Sequence, residues 1–471
     1  MKKFDCDIGM IGLGVMGRNL VLNFADHGYA VTGYDKDSLK VNALQTEAED
    51  RKVIAAGSLN DFISNLKKPR AVMMLVPAGA PVDSVIKDVL PYLEPGDLII
   101  DGGNSHYTDT NKRFTELAEK KIHFLGVGIS GGEKGARFGP SMMPGGPEKA
   151  YETVRPILEA ASAKVNKDNC VTYLGPGSAG HYVKMVHNGI EYGLMQLISE
   201  SYDLLKKGFD LNNDDLHKIY NDWNKKELQS FLIEITSDIF LQPDDKTNGR
   251  LIDKIQDKAK QKGTGKWTSQ DAMELQLPLP TIDAAVSQRD ISAYKSERVS
   301  ASKILTGPNP RIDTDVKAFT AQLEDAVYFA MIVTYAQGFA LLKGASQEYK
   351  YNINMIDVAS IWRGGCIIRA GLLEEIRSAF KKVPDLPNLL LDSFFSKEVL
   401  IRQDSIRSIV KFSIDAGIPV PGLMAALGYF DSYRSSRIPA NLVQAQRDYF
   451  GAHTYERIDD EGVFHTLWKH V

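Results

Sequence analysis

Three cysteines, Cys6, Cys170 and Cys366, are too few and too scattered in 471 residues to staple a fold or to hold a structural zinc ion. No CxxC pair or Cys/His spacing accompanies them, so a reducing compartment, the cytoplasm, is expected. Charge of one sign is also missing. The 56 Lys and Arg against 60 Asp and Glu leave −4, which gives no basic field to hold nucleic acid by counterion release. Any anion site has to be built locally. Long apolar runs are absent too: nothing approaches the ~18 consecutive apolar residues of a membrane span. The short N-terminal apolar stretch is broken by Asp5, Asp7 and glycines, unlike a signal peptide. Neither a membrane nor a nucleic acid is expected as a partner.

What remains is an ordinary globular composition, 43% hydrophobic and 25% charged, with length for two to four domains. Short apolar runs (Cys6 to Ile11, Ala30 to Asp35, Ala71 to Pro77, Leu98 to Asp101, His123 to Ile129, Val171 to Leu174) alternate with amphipathic stretches such as Arg18 to His27 and Val82 to Tyr92. That alternation predicts an α/β Rossmann domain over 1–178, a doubly wound, mostly parallel sheet. After Gly175-Pro-Gly-Ser-Ala-Gly180 the period becomes 3.6 and strand signals fade, with helix stops expected at Gly208 and Gly344. A large all-α domain over 179–436 is expected.

This region also repeats itself. Ile190-Glu-Tyr, Leu204-Leu-Lys206 and Trp223 recur as Ala326-Val-Tyr328, Leu341-Leu-Lys343 and Trp362, at near-constant offset. Two related halves follow, about 179–310 and 311–436. The last stretch, 437–471, is rich in aromatic side chains that have to be buried somewhere, and a partner subunit is a natural place.

Gly12-Leu13-Gly14-Val15-Met16-Gly17 follows an apolar strand and opens a helix, with Asp35 at the end of the next strand. Strand, glycines, helix and acid together predict a dinucleotide pyrophosphate at a helix N-terminus. Asp35 would accept from both ribose hydroxyls and repel a 2′-phosphate, favouring NAD, whereas Lys36 beside it could pair with that phosphate. The alternative is that Asp35 caps the next helix. Later strand ends bring Val76 and Ala78 (in Leu75-Val-Pro-Ala-Gly79) and Asn104 (in Asp101-Gly-Gly-Asn-Ser105) to the same crevice, unless these are plain turns.

Lys184-Met-Val-His187-Asn188-Gly-Ile-Glu191-Tyr192 places Lys184, His187, Asn188 and Glu191 on one helix face. Such a stripe is usually a solvated surface. Against that, Gly189 costs the helix about 1 kcal/mol relative to Ala, which suggests that something approaches there. The second half carries Thr320, Leu323, Glu324 and Val327 at the matching positions, so the scaffold does not require the polar set. A lysine becomes a base when burial or nearby cations lower its pKa.

Ser130-Gly131-Gly132, followed by Glu133 and Gly135, suits a carboxylate. Lys262-Gly-Thr264-Gly-Lys266 offers glycines, a hydroxyl and two cations, or is simply a basic turn. Arg289, Arg447 and His453 are further candidates for an anion pocket, and no metal-ligand constellation is present.

Taken together, Gly12 to Gly17, Asp101 to Ser105, Ser130 to Glu133 with Pro140 to Gly146, Lys184 to Tyr192, Lys262 to Thr268 and Gln444 to His453 resemble the decarboxylating 6-phosphogluconate dehydrogenases over essentially the whole chain. The resemblance implies a homodimer whose C-terminal tail completes the other subunit's site, acting in the oxidative pentose phosphate pathway. Lys184 would take the C3 hydroxyl proton and Glu191 would protonate the enediol. Ser130, Gly131, Gly132, His187 and Asn188 would hold the carboxylate and hydroxyls, with Asn104 between substrate and coenzyme. Tyr192, Lys262, Thr264 and Arg289 would bind the phosphate, joined by Arg447 and His453 of the neighbouring subunit. The family usually has an Asn-Arg-Thr-like run where this chain has Asp35-Lys36-Asp37, and a Lys-Ala-Gly turn where it has Pro77-Ala-Gly79. Both departures make NAD use at least comparable to NADP the expectation here. The competing readings are a hydroxyacid dehydrogenase without decarboxylation and a catalytically dead nucleotide-binding dimer.

Overall fold

In the N-terminal region, short runs of Val, Ile, Met and Leu are buried on both faces, as strands covered by helices on each side must be. The computed structural model, which describes residues 4–261 and 263–468, arranges seven strands in the order β3-β2-β1-β4-β5-β6-β7. They are β1 (Ile8–Ile11), β2 (Val31–Tyr34), β3 (Val53–Ala55), β4 (Ala71–Met74), β5 (Leu98–Asp101), β6 (His123–Ser130) and β7 (Ser141–Gly145). The first six are parallel and β7 runs antiparallel to β6. Strand order reverses between β1 and β4, and a crevice opens there above their carboxyl ends.

Two strands escape the sequence reading and one expected strand fails. β3 is three half-buried residues at an edge, too short to show alternation. β7 carries Pro144 and Gly145, which read as a turn but are tolerated at a sheet's margin. Val171 to Leu174 makes only a single bridge, Val171 to Met142, and straps the sheet rather than extending it.

From Ala179 the chain is helical, built on two long helices, Ala179–Phe209 and Val316–Glu348, that pack on each other. Each is followed by a shorter helix ending on a buried tryptophan, Asn213–Trp223 and Met355–Trp362. Ser230 pairs antiparallel with Ala370, so the segments that follow the two tryptophans meet. Gly344 does not stop its helix. It lies a turn inside, because Leu277 packs where a side chain would be. The second long helix is long and apolar enough to cross a membrane, yet 89% of its apolar window is buried inside the chain, where it forms the core of the helical region.

The final segment, helix Ala440–Gly451 and a small hairpin of Tyr455–Glu456 with Val463–Phe464, folds around the buried Asp448 carboxylate. That carboxylate accepts from the Thr454 and Thr466 N–H groups and from Trp468 Nε1, at 2.9, 3.0 and 2.9 Å. Leu442, Phe450, Ile458 and Leu467 are left exposed.

Candidate active site

The crevice at the switch point continues into a cleft of about 1090 Å³ between the sheet domain and the helical region. One wall is Gly14 to Gly17, Val76 to Gly79 and Gly102 to Asn104; the other includes Asn188, Glu191, Tyr192, Thr264 and Arg289. Gly12 has φ +96° and lies against the Leu75 carbonyl, a position no other residue could take without strain. A side chain on Gly14 would meet nothing within 4 Å, so backbone is open to a ligand at the start of helix Val15–Asp26.

An adjoining pocket of about 500 Å³ is lined by Gly12, Tyr34, Asp35, Lys36 and Asp88. Asp35 accepts from the Leu13 and Asp37 N–H groups at 2.8 and 2.9 Å, with Lys40 at 3.6 Å. It does not cap the following helix, Ser38–Ala48. Asp37 does, accepting from the Leu39 N–H at 3.0 Å. Lys36 Nζ is paired with Asp88 at 2.8 Å.

The polar stripe of the first long helix is not a solvated face. Lys184, His187 and Asn188 are buried and Glu191 is nearly so, its side chain 21% exposed. The approach at Gly189 is Thr268, whose hydroxyl donates to the Met185 carbonyl at 2.8 Å and whose methyl occupies the space of a Cβ. Burial lowers the pKa of Lys184 against the opposing pull of Glu191, and raises that of Glu191 against the pull of Lys184 and Arg289. His187 is held far below the usual imidazole range, first by burial and then by Lys184. The neutral ring has Asn188 Oδ1 at 3.0 Å and Lys184 Nζ at 3.4 Å from Nδ1, and Ser130 Oγ at 3.2 Å from Nε2. A proton on Nδ1, donated to Asn188, leaves Nε2 to accept from Ser130. Asn188 then donates from Nδ2 to Thr264 Oγ1 at 3.0 Å.

Gly131 has φ +116°, and a Cβ there would lie 2.5 Å from the Gly365 carbonyl. The second helical half thus supports the Ser130-Gly131-Gly132 loop, which the sequence reading missed although Trp362-Arg-Gly-Gly365 follows the repeated tryptophan. Arg289, on helix Pro280–Ala293, stacks its guanidinium 3.4 Å from the Tyr192 ring centroid, and burial lowers its pKa. Lys260 and His106 also line the cleft and had no motif to reveal them, and Trp267 lines it from within the Lys262 to Thr268 stretch. Arg447 and His453 are exposed on the terminal segment and do not line this cleft, and Lys262 lies outside the described residues. Among the described residues no group of three His, Cys, Asp or Glu side chains converges as a metal site requires.

A glycine-rich turn at a Rossmann switch point, sharing a cleft with Glu191 on the helix that buries Lys184, defines a dehydrogenase of the nicotinamide dinucleotide class. The chain belongs to the 6-phosphogluconate dehydrogenase family. Residues 7–175 match the NAD binding domain of 6-phosphogluconate dehydrogenase and residues 180–468 match its C-terminal domain. The 6-phosphogluconate dehydrogenase, NADP(+)-dependent, decarboxylating, of Bacillus subtilis is 52% identical, with 98% of each chain covered. The decarboxylating enzyme of Synechococcus elongatus is 51% identical over 98% of each. A solved Plasmodium falciparum 6-phosphogluconate dehydrogenase, studied with NADP+ and with 6-phosphogluconate, superposes with a TM-score of 0.95 at 46% identity, covering 98% of this chain and 100% of that one.

Proposed function

We propose that this chain converts 6-phosphogluconate to ribulose 5-phosphate and CO2 with reduction of NAD(P)+, as a cytoplasmic enzyme of the oxidative pentose phosphate pathway. The observation that carries this reading is the burial of Lys184 and Glu191 together, with opposite pKa displacements, beside a dinucleotide crevice. The bound coenzyme supplies a hydride acceptor. Neutral Lys184 takes the C3 hydroxyl proton as hydride leaves C3, which makes a 3-keto acid. The protonated lysine then stabilises the oxygen that gains charge as the C1–C2 bond breaks and CO2 departs. Glu191 protonates the carbon that lost CO2. Ser130, Gly131, Gly132, His187 and Asn188 hold the carboxylate and hydroxyls, with Asn104 between substrate and coenzyme. Tyr192, Lys262, Thr264 and Arg289 take the phosphate, with Arg447 and His453 of a second copy completing it in a homodimer.

For the coenzyme, Gly12 to Gly17, Val76 and Ala78 form the cradle, and Asp35, Lys36 and Asp37 set the choice. The names of the Bacillus and Plasmodium relatives point to NADP. Here Asp35 is a carboxylate at the ribose end, and Lys36 is already paired with Asp88. We therefore place NAD use at least level with NADP. A spectrophotometric assay with 6-phosphogluconate and each coenzyme, with CO2 capture, tests both parts. Reduction without CO2 would make the chain a simple hydroxyacid dehydrogenase. A hundredfold kcat/KM preference for NADP would show that Lys36 leaves Asp88 for the phosphate. Asp35→Asn with Lys36→Arg should move the ratio toward NADP.

A further inference from the structure

The helix Thr264–Glu274 carries a buried carboxylate, Asp271, that the reaction above does not use. Three phenols converge on it. Tyr107 and Tyr349 donate to Oδ1 at 2.5 and 2.8 Å, and Tyr182 donates to Oδ2. Each comes from a different element. Tyr107 is the first residue of helix Tyr107–Ala118 in the sheet domain, three residues after Asn104. Tyr182 stands two residues before Lys184 on the first long helix, and Tyr349 caps the C-terminus of the second. Asp271 shares its helix with Thr264, which bonds Asn188. These are the elements whose relative placement sets the width of the cleft.

Packing alone would close this junction: the rings of Tyr107 and Tyr182 lie 5.2 Å apart and those of Tyr182 and Tyr349 5.7 Å. Ring contacts, however, permit sliding. A bond to an ionised acceptor is directional and about twice as strong as a neutral one. A buried carboxylate is costly unless partnered, so three donors at one point are better suited to fixing orientation than to adding cohesion. His106, a cleft residue, stacks on Tyr107 at 4.8 Å and meets Trp267 edge-on at 4.8 Å, so whatever holds Tyr107 also holds the wall around Asn104.

We infer that Asp271 is a positioning residue: through Tyr107 it fixes the Asn104 wall of the dinucleotide domain against the helix that carries Lys184. This rests on the cleft being a 6-phosphogluconate dehydrogenase site. The test compares full-length wild type, Tyr107→Phe, Tyr349→Phe and Asp271→Asn. Tyr107→Phe keeps the ring contacts and loses one bond. Its kcat should fall about tenfold, since a misplacement near 1 Å can cost about 10²-fold. NADP+ affinity by titration should stay within about twofold, and the isotope effect on kcat with C3-deuterated substrate should rise. Tyr349→Phe removes a donor from within the helical region and should lose comparable thermal stability with kcat nearly unchanged. Combining Tyr107→Phe with Asp271→Asn should add little to the kcat loss of the slower single variant, because the charge-assisted Tyr107 bond is lost in both. Wild-type kcat and isotope effect in Tyr107→Phe, or fully additive losses in the double variant, would overturn the inference alone. A wild type unable to oxidise 6-phosphogluconate would overturn the reading of the cleft and the inference with it.

Discussion

Lys184 and Glu191 show how one environment displaces two groups in opposite directions. Desolvation penalises each charge, pushing Lys184 toward its neutral form and Glu191 toward its protonated one. Lys184→Met is therefore expected to abolish oxidation while NADP+ still binds, as fluorescence titration and a coupled assay would show together. Glu191→Gln should slow turnover about 10²-fold or more by removing the proposed carbon acid. Its pH profile carries the sharper expectation. A glutamic acid with a raised pKa is protonated at low pH and loses its proton as pH rises, so it limits the alkaline side. The residual activity of Glu191→Gln should keep its acid limb, set by Lys184, and lose the alkaline one. An unchanged alkaline limb would assign the carbon acid elsewhere.

At the scale of elements, the two helical halves cap each other. Glu200, on the first long helix, accepts from the Gly422 and Leu423 N–H groups at 2.7 and 2.9 Å, at the start of helix Pro421–Tyr433. Gln337, on the second, accepts from the Thr281 N–H at 3.2 Å, at the start of helix Pro280–Ala293. The capped starts repeat in sequence, Leu277-Pro-Leu-Pro-Thr281 and Ile418-Pro-Val-Pro-Gly422. Burial pushes Glu200 up to about 7 from an ordinary 4.5, although Gln196 and the two backbone donors pull it down. A raised folded-state pKa means that the protonated form is favoured in the fold. Its contribution is full below about 4.5 and is lost as pH rises through about 7. Glu200→Gln should therefore flatten the decline of unfolding free energy with pH across that window, read by urea titrations at several pH values. Parallel pH curves for the two proteins would show that Glu200 does not titrate there.

At the scale of the molecule, the terminal segment is folded but unfinished. Asp448 organises it internally, yet Leu442, Phe450, Ile458 and Leu467 stay exposed, and the exposed Arg447 and His453 do not line the chain's own cleft. The proposed completion of the site by a second copy accounts for both facts. Deleting residues from Gln444 onward should raise the KM for 6-phosphogluconate or abolish activity, since Arg447 would no longer make a charge-assisted bond to phosphate. Arg447→Ala and Lys184→Met subunits, each inactive or weak alone, should recover a fraction of activity when mixed, because one of the two sites in a heterodimer regains both groups. No recovery in verified heterodimers would mean that each site is built from a single chain.

The determinants legible in the sequence were local. The Gly12 to Gly17 turn, the 3.6-residue stripe of Lys184, His187, Asn188 and Glu191, and the spacing of Trp223 and Trp362 each follow from chain geometry within a few turns, or from repetition along it. Gly189 even announced a close neighbour, though not which one. Other features depended on contacts between distant segments, and those only the tertiary structure decided. Thr268 filling the space at Gly189, Gly365 supporting Gly131, and Lys36 turned to Asp88 pair residues tens to hundreds of positions apart. Whether the polar stripe was solvent-facing or buried was decided in the same way, because helical periodicity fixes which side chains share a face but not what that face meets. The displaced pKa values of Lys184 and Glu191 come from that burial. Sequence thus specified which groups stand together, and packing set the dielectric in which they act.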